Sequence, residues 1–514
     1  MFVNHSSFIA LRGVVCGLSI AALTACSDGN DAELVEEILA VFSEHPCTIP
    51  IPQGFTEQDV RCGTLEVPRE REQQSTDTVL VEFGVILARQ QDTSLDDPFV
   101  YIPGGPGDQS LDSFFAFDAL DLLKNINQTR DLVYFDPRGT GISSPSLSCP
   151  ERLANANAAF FQPGGAAQDR DALLAGMRAC HERLVESGIA LSGYSSASIA
   201  ADLADGLRAL GYSQVNLWGT SYGGRIAQVM MRDYPEMVRS VVLDASTMPD
   251  IRLSESARFQ RSVDRLFENC AASPTCNDAF PDLETKFYGI VDNLNAQPVE
   301  VTVNFEGQNR DLFVSGDRLL AGFRNALNSN GLIPLIPLTI TTISDGDFAI
   351  VNAIAPSLIS SFDTIAWGHF ASVECSENAP YFSDSDQQAD NAGVNPLIVA
   401  ALDPIGESVD IGQCEFWDVE PRPAIASEPI ISDIPALILQ GEYDTAVPTA
   451  YAERANENLS SSQYVLFPGF GHVVLPQDFN EEGTSCGQQI VSQFLMDPQA
   501  QLDRNCIDSL APPF

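Results

Sequence analysis

The stretch Gly219-Thr220-Ser221-Tyr222-Gly223 decides the fold that we expect for this chain. It follows an apolar run, residues 215–218, that predicts a buried strand, and it precedes residues 225–232, which predict a helix. A serine at a sharp strand-to-helix turn has a strained backbone, so the residues two before and two after it must be small. Both are glycine here. The context therefore predicts a nucleophile elbow with Ser221 as the nucleophile.

A serine hydroxyl is a poor nucleophile until a histidine accepts its proton, so we searched the five histidines for a base. His472 ends the glycine-rich stretch 468–472, directly after the apolar run 464–467. A side chain there can project from the end of a sheet strand, and we predict that His472 is the base. His5 lies in an apolar N-terminal segment, and His45 lies before the globular pattern. His181 is beside a cysteine, and His369 is outside any core-strand pattern.

The expected carboxylate is Asp444, which follows the buried-strand pattern of residues 436–439 in a loop that contains Pro448. Ser221, Asp444 and His472 then occur in the order nucleophile, acid, base, which is the order of the α/β-hydrolase fold. The alternative acid is Asp244, at the end of the neighbouring strand pattern.

Acyl transfer by a serine also needs backbone N–H groups that stabilise the developing oxyanion. We expect one from Tyr222, directly after the nucleophile, and one from Gly105 in the glycine-rich loop 103–107, which follows the strand pattern 99–102. A plain turn is the alternative for that loop. A second loop of this kind, residues 136–143, follows another strand pattern, and we expect its Arg138 to be structural.

These motifs together resemble the proline-iminopeptidase-like serine aminopeptidases of the α/β-hydrolase superfamily, especially their secreted, tripeptidyl-aminopeptidase-like branch. One departure is Pro103, where cytosolic proline iminopeptidases typically carry a histidine, and this favours the secreted branch over strict proline specificity. The resemblance spans about residues 99–475 and rests on Gly104-Gly105-Pro106-Gly107, Asp136-Pro137-Arg138-Gly139-Thr140-Gly141-Ile142-Ser143, Gly219-Thr220-Ser221-Tyr222-Gly223-Gly224, Gly441-Glu442-Tyr443-Asp444-Thr445-Ala446-Val447-Pro448 and Gly469-Phe470-Gly471-His472.

The N-terminus predicts export. Residues 1–25 contain one basic residue, Arg12, and no acid, and their apolar stretch is too short to span a bilayer as a helix. Leu23-Thr24-Ala25-Cys26 resembles a bacterial lipoprotein signal, in which cleavage exposes Cys26 for lipidation; an ordinary secretory peptide is the alternative. Ser27 suggests the outer membrane, facing the periplasm or the cell surface. The expected membrane contact is this lipid anchor.

The chain is strongly acidic, with a net charge of −43 at pH 7 spread along its length. Such a surface repels nucleic acid, which we exclude as a partner, and it attracts the amino terminus of a peptide. Adaptation to a salty environment would also explain this composition. The motifs imply no metal and no organic cofactor.

The cysteines predict disulfides. Apart from Cys16 and Cys26 the chain has ten, an even number in an exported protein. A metal site is the rival interpretation, but no cysteine pair has the two-residue spacing of a zinc site and no histidine pair accompanies them. Pairing of sequence neighbours predicts Cys47–Cys62, Cys149–Cys180, Cys270–Cys276, Cys375–Cys414 and Cys486–Cys506.

The spacing of the core strands predicts a large insertion. About 190 residues separate the strand pattern ending at Leu243 from the one beginning at Ala436, whereas a crossover takes only about thirty. We expect residues 251–430, called the cap below, to fold mainly as helices over the active site. The remaining assignments are a tether at 26–46 and a catalytic domain of α/β class, a mostly parallel sheet flanked by helices, at 47–250 and 431–514.

The cap is expected to set the specificity. The ammonium group of a peptide is costly to desolvate unless a carboxylate pairs with it. The resemblance places an acid near a cap cysteine, and Glu377 is the preferred ligand, with Glu374 second and Glu415 third; each also fits a solvated surface charge. The sequence thus predicts a serine aminopeptidase for short peptides. An esterase or amidase for small acyl compounds and a non-catalytic binding lipoprotein are the alternatives.

Overall fold

The computed structural model describes residues 40–71, 77–112, 122–305, 307–352, 364–478, 480, 484–510 and 514. The predicted signal segment, Cys26 and most of the predicted tether lie outside these ranges. Within the described ranges, no helix is long and apolar enough to cross a membrane.

A nine-stranded sheet forms the centre of the protein, in the order β1-β2-β3-β5-β4-β6-β7-β10-β11. The pairings from β1 to β5 across the sheet are antiparallel and those from β5 to β11 are parallel. The sheet is therefore mostly parallel, as predicted. A separate antiparallel hairpin, β8-β9, lies in the cap. The strands are β1 (Val41–His45), β2 (Val60–Pro68), β3 (Thr78–Ile86), β4 (Phe99–Ile102), β5 (Leu132–Asp136), β6 (Val215–Thr220), β7 (Val238–Asp244), β8 (Val299–Phe305), β9 (Gln308–Val314), β10 (Ala436–Gly441) and β11 (Ser462–Phe467).

The sheet begins earlier in the chain than the sequence indicated. β1 lies inside the segment assigned to the tether and pairs with β2 as an edge strand. Phe42 anchors it, because its ring packs edge-on against Phe83 with ring centroids 6.2 Å apart. His45, which we placed before the globular part, contacts the Glu82 carboxylate at 3.1 Å. Of the two apolar residues in this short edge strand, Val41 is exposed, so the strand gives too weak a signal for a sequence pattern.

Apolar side chains alternate between the two faces of the sheet, which explains why helices cover both. In β6, Leu217 packs with the helical residues Ile199 and Ile226 on one face. Its neighbour Trp218 packs with Phe494 on the other. The helices before the cap and after it are α1 (Pro150–Phe160), α2 (Ala166–Glu186), α3 (Ser196–Leu210), α4 (Tyr222–Asp233), and, numbered after those of the cap, α15 (Thr449–Asn458), α16 (Val474–Gln477) and α17 (Cys486–Met496).

The insertion between β7 and β10 is mainly helical, with its own apolar core around Phe259, Phe287 and Phe323. The hairpin β8-β9 and a short π-helix, Glu374–Asn378, interrupt its α-helices. These are α5 (Glu255–Ala272), α6 (Pro274–Ala279), α7 (Leu283–Ala296), α8 (Gly316–Ala326), α9 (Ile336–Ser344), α10 (Trp367–Val373), α11 (Asp384–Asp390), α12 (Pro396–Leu402), α13 (Glu407–Gly412) and α14 (Cys414–Trp417).

Helices α1 and α2 pack with the cap, although the sequence assigned them to the catalytic domain. Met177 and Leu184 of α2 share an apolar cluster with Trp417 of the cap. Arg318 of the cap forms a buried ion pair with Asp169 of α2, at 2.7 Å. The segment between β5 and α3 thus extends the cap. The sequence did not indicate this, because the segment lies close to core strands along the chain.

The structure contains the five disulfides that pairing of sequence neighbours predicted: Cys47–Cys62, Cys149–Cys180, Cys270–Cys276, Cys375–Cys414 and Cys486–Cys506. Two of them, Cys149–Cys180 and Cys375–Cys414, lie in the same apolar cluster between α2 and the cap. They connect segments that the sheet does not hold together. Disulfides of this number are typical of an exported chain.

Candidate active site

Ser221 lies at the turn from β6 into α4, and its backbone is strained as the elbow requires. Its φ of 52° and ψ of −120° are unusual for a residue with a side chain. Its N–H donates to the Asp244 carbonyl at 3.0 Å, and its carbonyl accepts from the Thr247 N–H at 3.1 Å. These bonds to the end of β7 hold the serine in this conformation.

The two glycines of the motif are required by contacts that no larger residue tolerates. A Cβ on Gly219 would lie 2.4 Å from the Gly223 carbonyl oxygen, and a Cβ on Gly223 would lie 2.1 Å from the Ile102 carbonyl oxygen. Both distances are far below van der Waals contact. The spacing of the motif therefore has the physical cause that the sequence analysis assumed.

His472 and Asp444 meet across the carboxyl ends of β10 and β11. The His472 Nδ1 lies 2.7 Å from the Asp444 Oδ2. The second oxygen, Oδ1, accepts from the N–H groups of Ala446 and Val447, both at 2.8 Å. With the Nδ1 hydrogen directed at this carboxylate, the Nε2 lone pair is left to accept a proton.

Opposing effects set the pKa of His472. Burial lowers it, but the charge and hydrogen bond of Asp444, together with the charge of Asp244, outweigh burial and raise the pKa above the usual 6.5. The Arg258 charge opposes this shift. The net shift favours the imidazolium form, which a general base becomes when it accepts the serine proton.

Asp244, the alternative acid, binds backbone N–H groups of the loop that follows His472 and not the imidazole ring. Its buried carboxylate accepts from the N–H groups of Val474 and Leu475, at 2.6 and 2.9 Å. Because its carbonyl also accepts from Ser221, one residue links the elbow to the segment directly after His472. Burial raises the pKa of Asp244 to about 6, against the lowering effect of these two hydrogen bonds.

The glycine-rich loop lies against the nucleophile. A Cβ on Gly104 would be 3.1 Å from the Ser221 Cβ, which is a tight contact, so a glycine suits this close approach. Gly105 has a φ of +102° and also admits no side chain. The Ala366 N–H of the cap donates to the Gly107 carbonyl at 2.8 Å, which fixes the loop between the sheet and the cap. Of the two expected oxyanion donors, Gly105 follows the glycine that lies against Ser221, and Tyr222 follows Ser221 itself.

The two cap acids, Glu374 and Glu377, lie in the π-helix and are almost fully buried. Glu374 forms an ion pair with Arg252 and accepts from the Asn378 amide at 2.7 Å. Glu377 forms an ion pair with Arg225 of α4 at 3.1 Å. Neither is the solvated surface acid that was the alternative.

Glu377 also lines a cavity of about 710 Å³, which lies along α3, α4 and residues 420–426. Ser221 and His472 are not among its lining residues.

Several residues that hold the site were not predicted from the sequence. The Asn328 side chain accepts from the Thr445 N–H at 3.0 Å, and its carbonyl accepts from the His472 N–H at 3.1 Å. Ser196 and Arg225 contact Glu377. Each lies in a helix or helix end of ordinary composition, so no local signal marked it.

Two other expectations concern Arg138 and His369. Arg138 is fully buried and pairs with Asp202 at 2.6 Å, as expected of a structural residue. His369, which we placed outside any core pattern, is buried in α10, where its Nδ1 lies 2.8 Å from the Arg138 carbonyl. Burial lowers the pKa of His369 to about 4 and keeps the ring neutral. Within the described ranges, no cluster of three potential metal ligands occurs.

The chain belongs to the α/β hydrolase fold family, whose profile matches residues 97–479. It is 24% identical to the serine protease Hip1 of Mycobacterium tuberculosis over 88% of each chain. It is 31% identical to the tripeptidyl aminopeptidase of Streptomyces coelicolor over 37% of this chain and 36% of that protein. It is 29% identical to carboxylesterase B of M. tuberculosis over 46% of this chain and 47% of that protein. The protein is therefore a serine hydrolase of the α/β superfamily.

Proposed function

We propose that this protein is an exported serine aminopeptidase that releases residues from the free amino terminus of short peptides. The observation that carries the proposal is the His472–Asp444 pair, at 2.7 Å, which Asp244 connects to the strained elbow by binding both Ser221 and the segment after His472. The similarity to a serine protease over most of both chains supports a peptidase. The similarity to a tripeptidyl aminopeptidase supports cleavage from the amino terminus.

The proposed reaction is acyl transfer in two steps. The Ser221 oxygen attacks the scissile carbonyl carbon while His472 Nε2 accepts the hydroxyl proton, and the C–N bond then breaks as His472 returns that proton to the leaving amine. Water hydrolyses the acyl-enzyme by the same proton transfers in reverse. Asp444 fixes the tautomer of the imidazole and stabilises the imidazolium.

The tetrahedral oxyanion would be stabilised by the backbone N–H groups of Tyr222 and Gly105. Such donors act only if they are already in place when charge develops, because reorientation during the reaction would cost free energy. The contact of Gly104 with Ser221 and the bond from Ala366 to Gly107 support this arrangement.

For the substrate amine we propose Glu374, the second choice of the sequence analysis, as the ligand in place of Glu377. The ion-pair partner of Glu374, Arg252, is 21% exposed, so a substrate ammonium can compete for that carboxylate from the solvent side. The partner of Glu377, Arg225, is only 4% exposed. The proposed test is Glu374→Gln, which should raise KM for a free-amine substrate and leave KM for an uncharged ester unchanged.

Anchoring through a lipidated Cys26 belongs to the same proposal and rests on the sequence alone. It is tested by fractionation of cells that express the wild type or Cys26→Ser. The wild type should be recovered with membranes and extracted by detergent, and the variant should be recovered in the soluble fraction.

An esterase acting on small acyl compounds is the second candidate, because carboxylesterase B is also a relative. The deciding experiment uses matched amide substrates, an amino acid or tripeptide amide with a free amine and the same compound N-acetylated, with wild type and Ser221→Ala. Cleavage of the free-amine forms alone, lost in the variant, would support the aminopeptidase. Equal cleavage of both forms, or turnover of esters alone, would favour the esterase.

A further inference from the structure

A buried group of four residues connects the cap to the nucleophile elbow. It consists of Glu377, Ser196, Tyr222 and Arg225, and we call it the Glu377 clamp. Glu377 belongs to the cap, Ser196 begins α3, and Tyr222 and Arg225 occupy the first turn of α4. All four are at most 4% exposed.

Glu377 binds Ser196 through both carboxylate oxygens. Oε1 accepts from the Ser196 N–H at 2.6 Å, and Oε2 accepts from the Ser196 hydroxyl at 2.6 Å. Ser196 Oγ is also 2.8 Å from the Tyr222 hydroxyl. Since the serine proton is given to the carboxylate, the Tyr222 hydroxyl is the donor in that bond. Burial and the Glu377 charge raise the pKa of Tyr222, so its phenol keeps the proton that this bond needs.

The second connection is the ion pair of Glu377 with Arg225, at 3.1 Å. Arg225 also donates to the Asn378 side chain at 2.6 Å and to the Ala426 carbonyl at 2.7 Å, both from the cap. Tyr222 and Arg225 are three residues apart, so they lie on one face of the helix. Glu377 therefore holds the first turn of α4 at two points.

We propose that Glu377 is a positioning residue, which holds the Tyr222 N–H where the oxyanion forms and makes catalysis depend on a docked cap. The inference rests on the proposed roles of Ser221 and Tyr222. A buried ion pair with these hydrogen bonds favours one arrangement of its partners. These three contacts use most of the roughly four acceptor sites of the carboxylate, and with Glu377 only 2% exposed a substrate ammonium would have to compete with them.

The test measures the rate at which a fluorophosphonate labels Ser221, because this reaction needs the nucleophile and the oxyanion donors but no peptide substrate. Loss of one oxyanion donor lowers kcat by roughly 10²- to 10³-fold, and we expect a displaced donor to cost part of that. Tyr222→Phe and Ser196→Ala should each slow labelling about tenfold. Ser196→Thr, which keeps the hydroxyl, should restore most of the rate.

Glu377→Gln should slow labelling at least as much. It should lower kcat by the same factor for a free-amine peptide amide and for an uncharged ester, with KM nearly unchanged. Combined with Tyr222→Phe it should add little, because both changes break the same connection. Glu300→Gln, an exposed acid on β8, is the matched control and should leave both rates unchanged. Thermal unfolding of each variant checks that it is folded.

Glu377→Gln removes the carboxylate that neutralises the buried Arg225 and can prevent folding. In that case Tyr222→Phe and Ser196→Ala, which keep the ion pair, test the Glu377 clamp. Labelling at the wild-type rate in both would overturn the inference. So would an effect of Glu377→Gln that is confined to KM for free-amine substrates. Failure of the wild type to react at Ser221, or to cleave free-amine amides while labelling normally, would instead contradict the proposed function.

Discussion

Two neighbouring strands each end near an aspartate, and the two aspartates bind different parts of the loop that contains His472. Asp444, after β10, binds the imidazole ring of His472. Asp244, at the end of β7, binds the backbone N–H groups of the two residues that follow Val473. One carboxylate sets the tautomer of the base, and the other sets the course of the chain that carries it.

The comparison teaches that position in the fold does not by itself assign a catalytic role. Both carboxylates are buried at the same edge of the sheet, and both affect the pKa of His472. The difference arises one residue after His472, where Val473 has a φ of 62°. That backbone turn directs the next two N–H groups at Asp244 and leaves the ring to Asp444.

The largest effect is expected from Asp444→Asn. Loss of the carboxylate leaves the imidazole without its tautomer partner, and kcat should fall about 10⁴-fold, with KM little changed. Steady-state kinetics on the substrate established for the wild type measure it, with the exposed Asp433→Asn as the control. If Asp444→Asn stayed active and Asp244→Asn lost this activity, the roles of the two acids would be exchanged.

The next effect concerns the contribution of Asp244 to the pH dependence of stability. Its pKa is raised to about 6 in the folded protein, above an unfolded value of about 3.9, so the folded state holds this proton more tightly. Its contribution is therefore most favourable below about pH 4 and is lost as pH rises through 6, by about 3 kcal/mol in total.

Urea unfolding of the wild type and Asp244→Asn at pH 4.5 and pH 7.5 measures that contribution. The wild type should lose stability relative to the variant between these two values. A difference in unfolding free energy that is independent of pH would contradict the raised pKa.

A smaller effect is expected from Asp244→Asn on turnover. An asparagine accepts one of the two backbone hydrogen bonds but opposes an amide N–H group to the other, so the loop after His472 should shift. We expect kcat to fall roughly 10- to 100-fold, since misplacement of a catalytic group by about 1 Å has effects of this order. A loss as large as that of Asp444→Asn would remove the distinction between the two acids.

The smallest effect is a shift of the pH profile. Because the base must be neutral, kcat/KM should rise with pH through a pKa above 6.5. The groups that act on His472 are Asp444, Asp244 and Arg258. Removal of the Asp244 charge lowers the pKa of His472, so the acid limb of Asp244→Asn should move to lower pH. An unchanged or raised limb would show that the Asp244 charge does not reach the ring.

The fold class and the expected positions of Ser221, Asp444 and His472 could be predicted because each depends on a local pattern. The elbow needs glycines at fixed spacing, and the loops of the acid and base follow apolar strands directly. The edge strand β1 and the packing of α1 and α2 on the cap could not be predicted, since neither has a distinctive pattern. The cap acids were identified as buried and paired only when their arginine partners, far away in the chain, were known.

The sequence by itself determined the strained serine turn, the order of the three expected catalytic residues and the pairing of cysteines that are neighbours along the chain. Steric limits and chain connectivity act over a few residues, so they are visible in the sequence. Only the tertiary structure decided which aspartate binds the ring of His472. It also decided that Glu377 contacts α4 through Ser196 and Arg225. Those contacts join residues up to 181 positions apart, and hydrogen bonds between such residues exist only after the sheet and the cap have packed together.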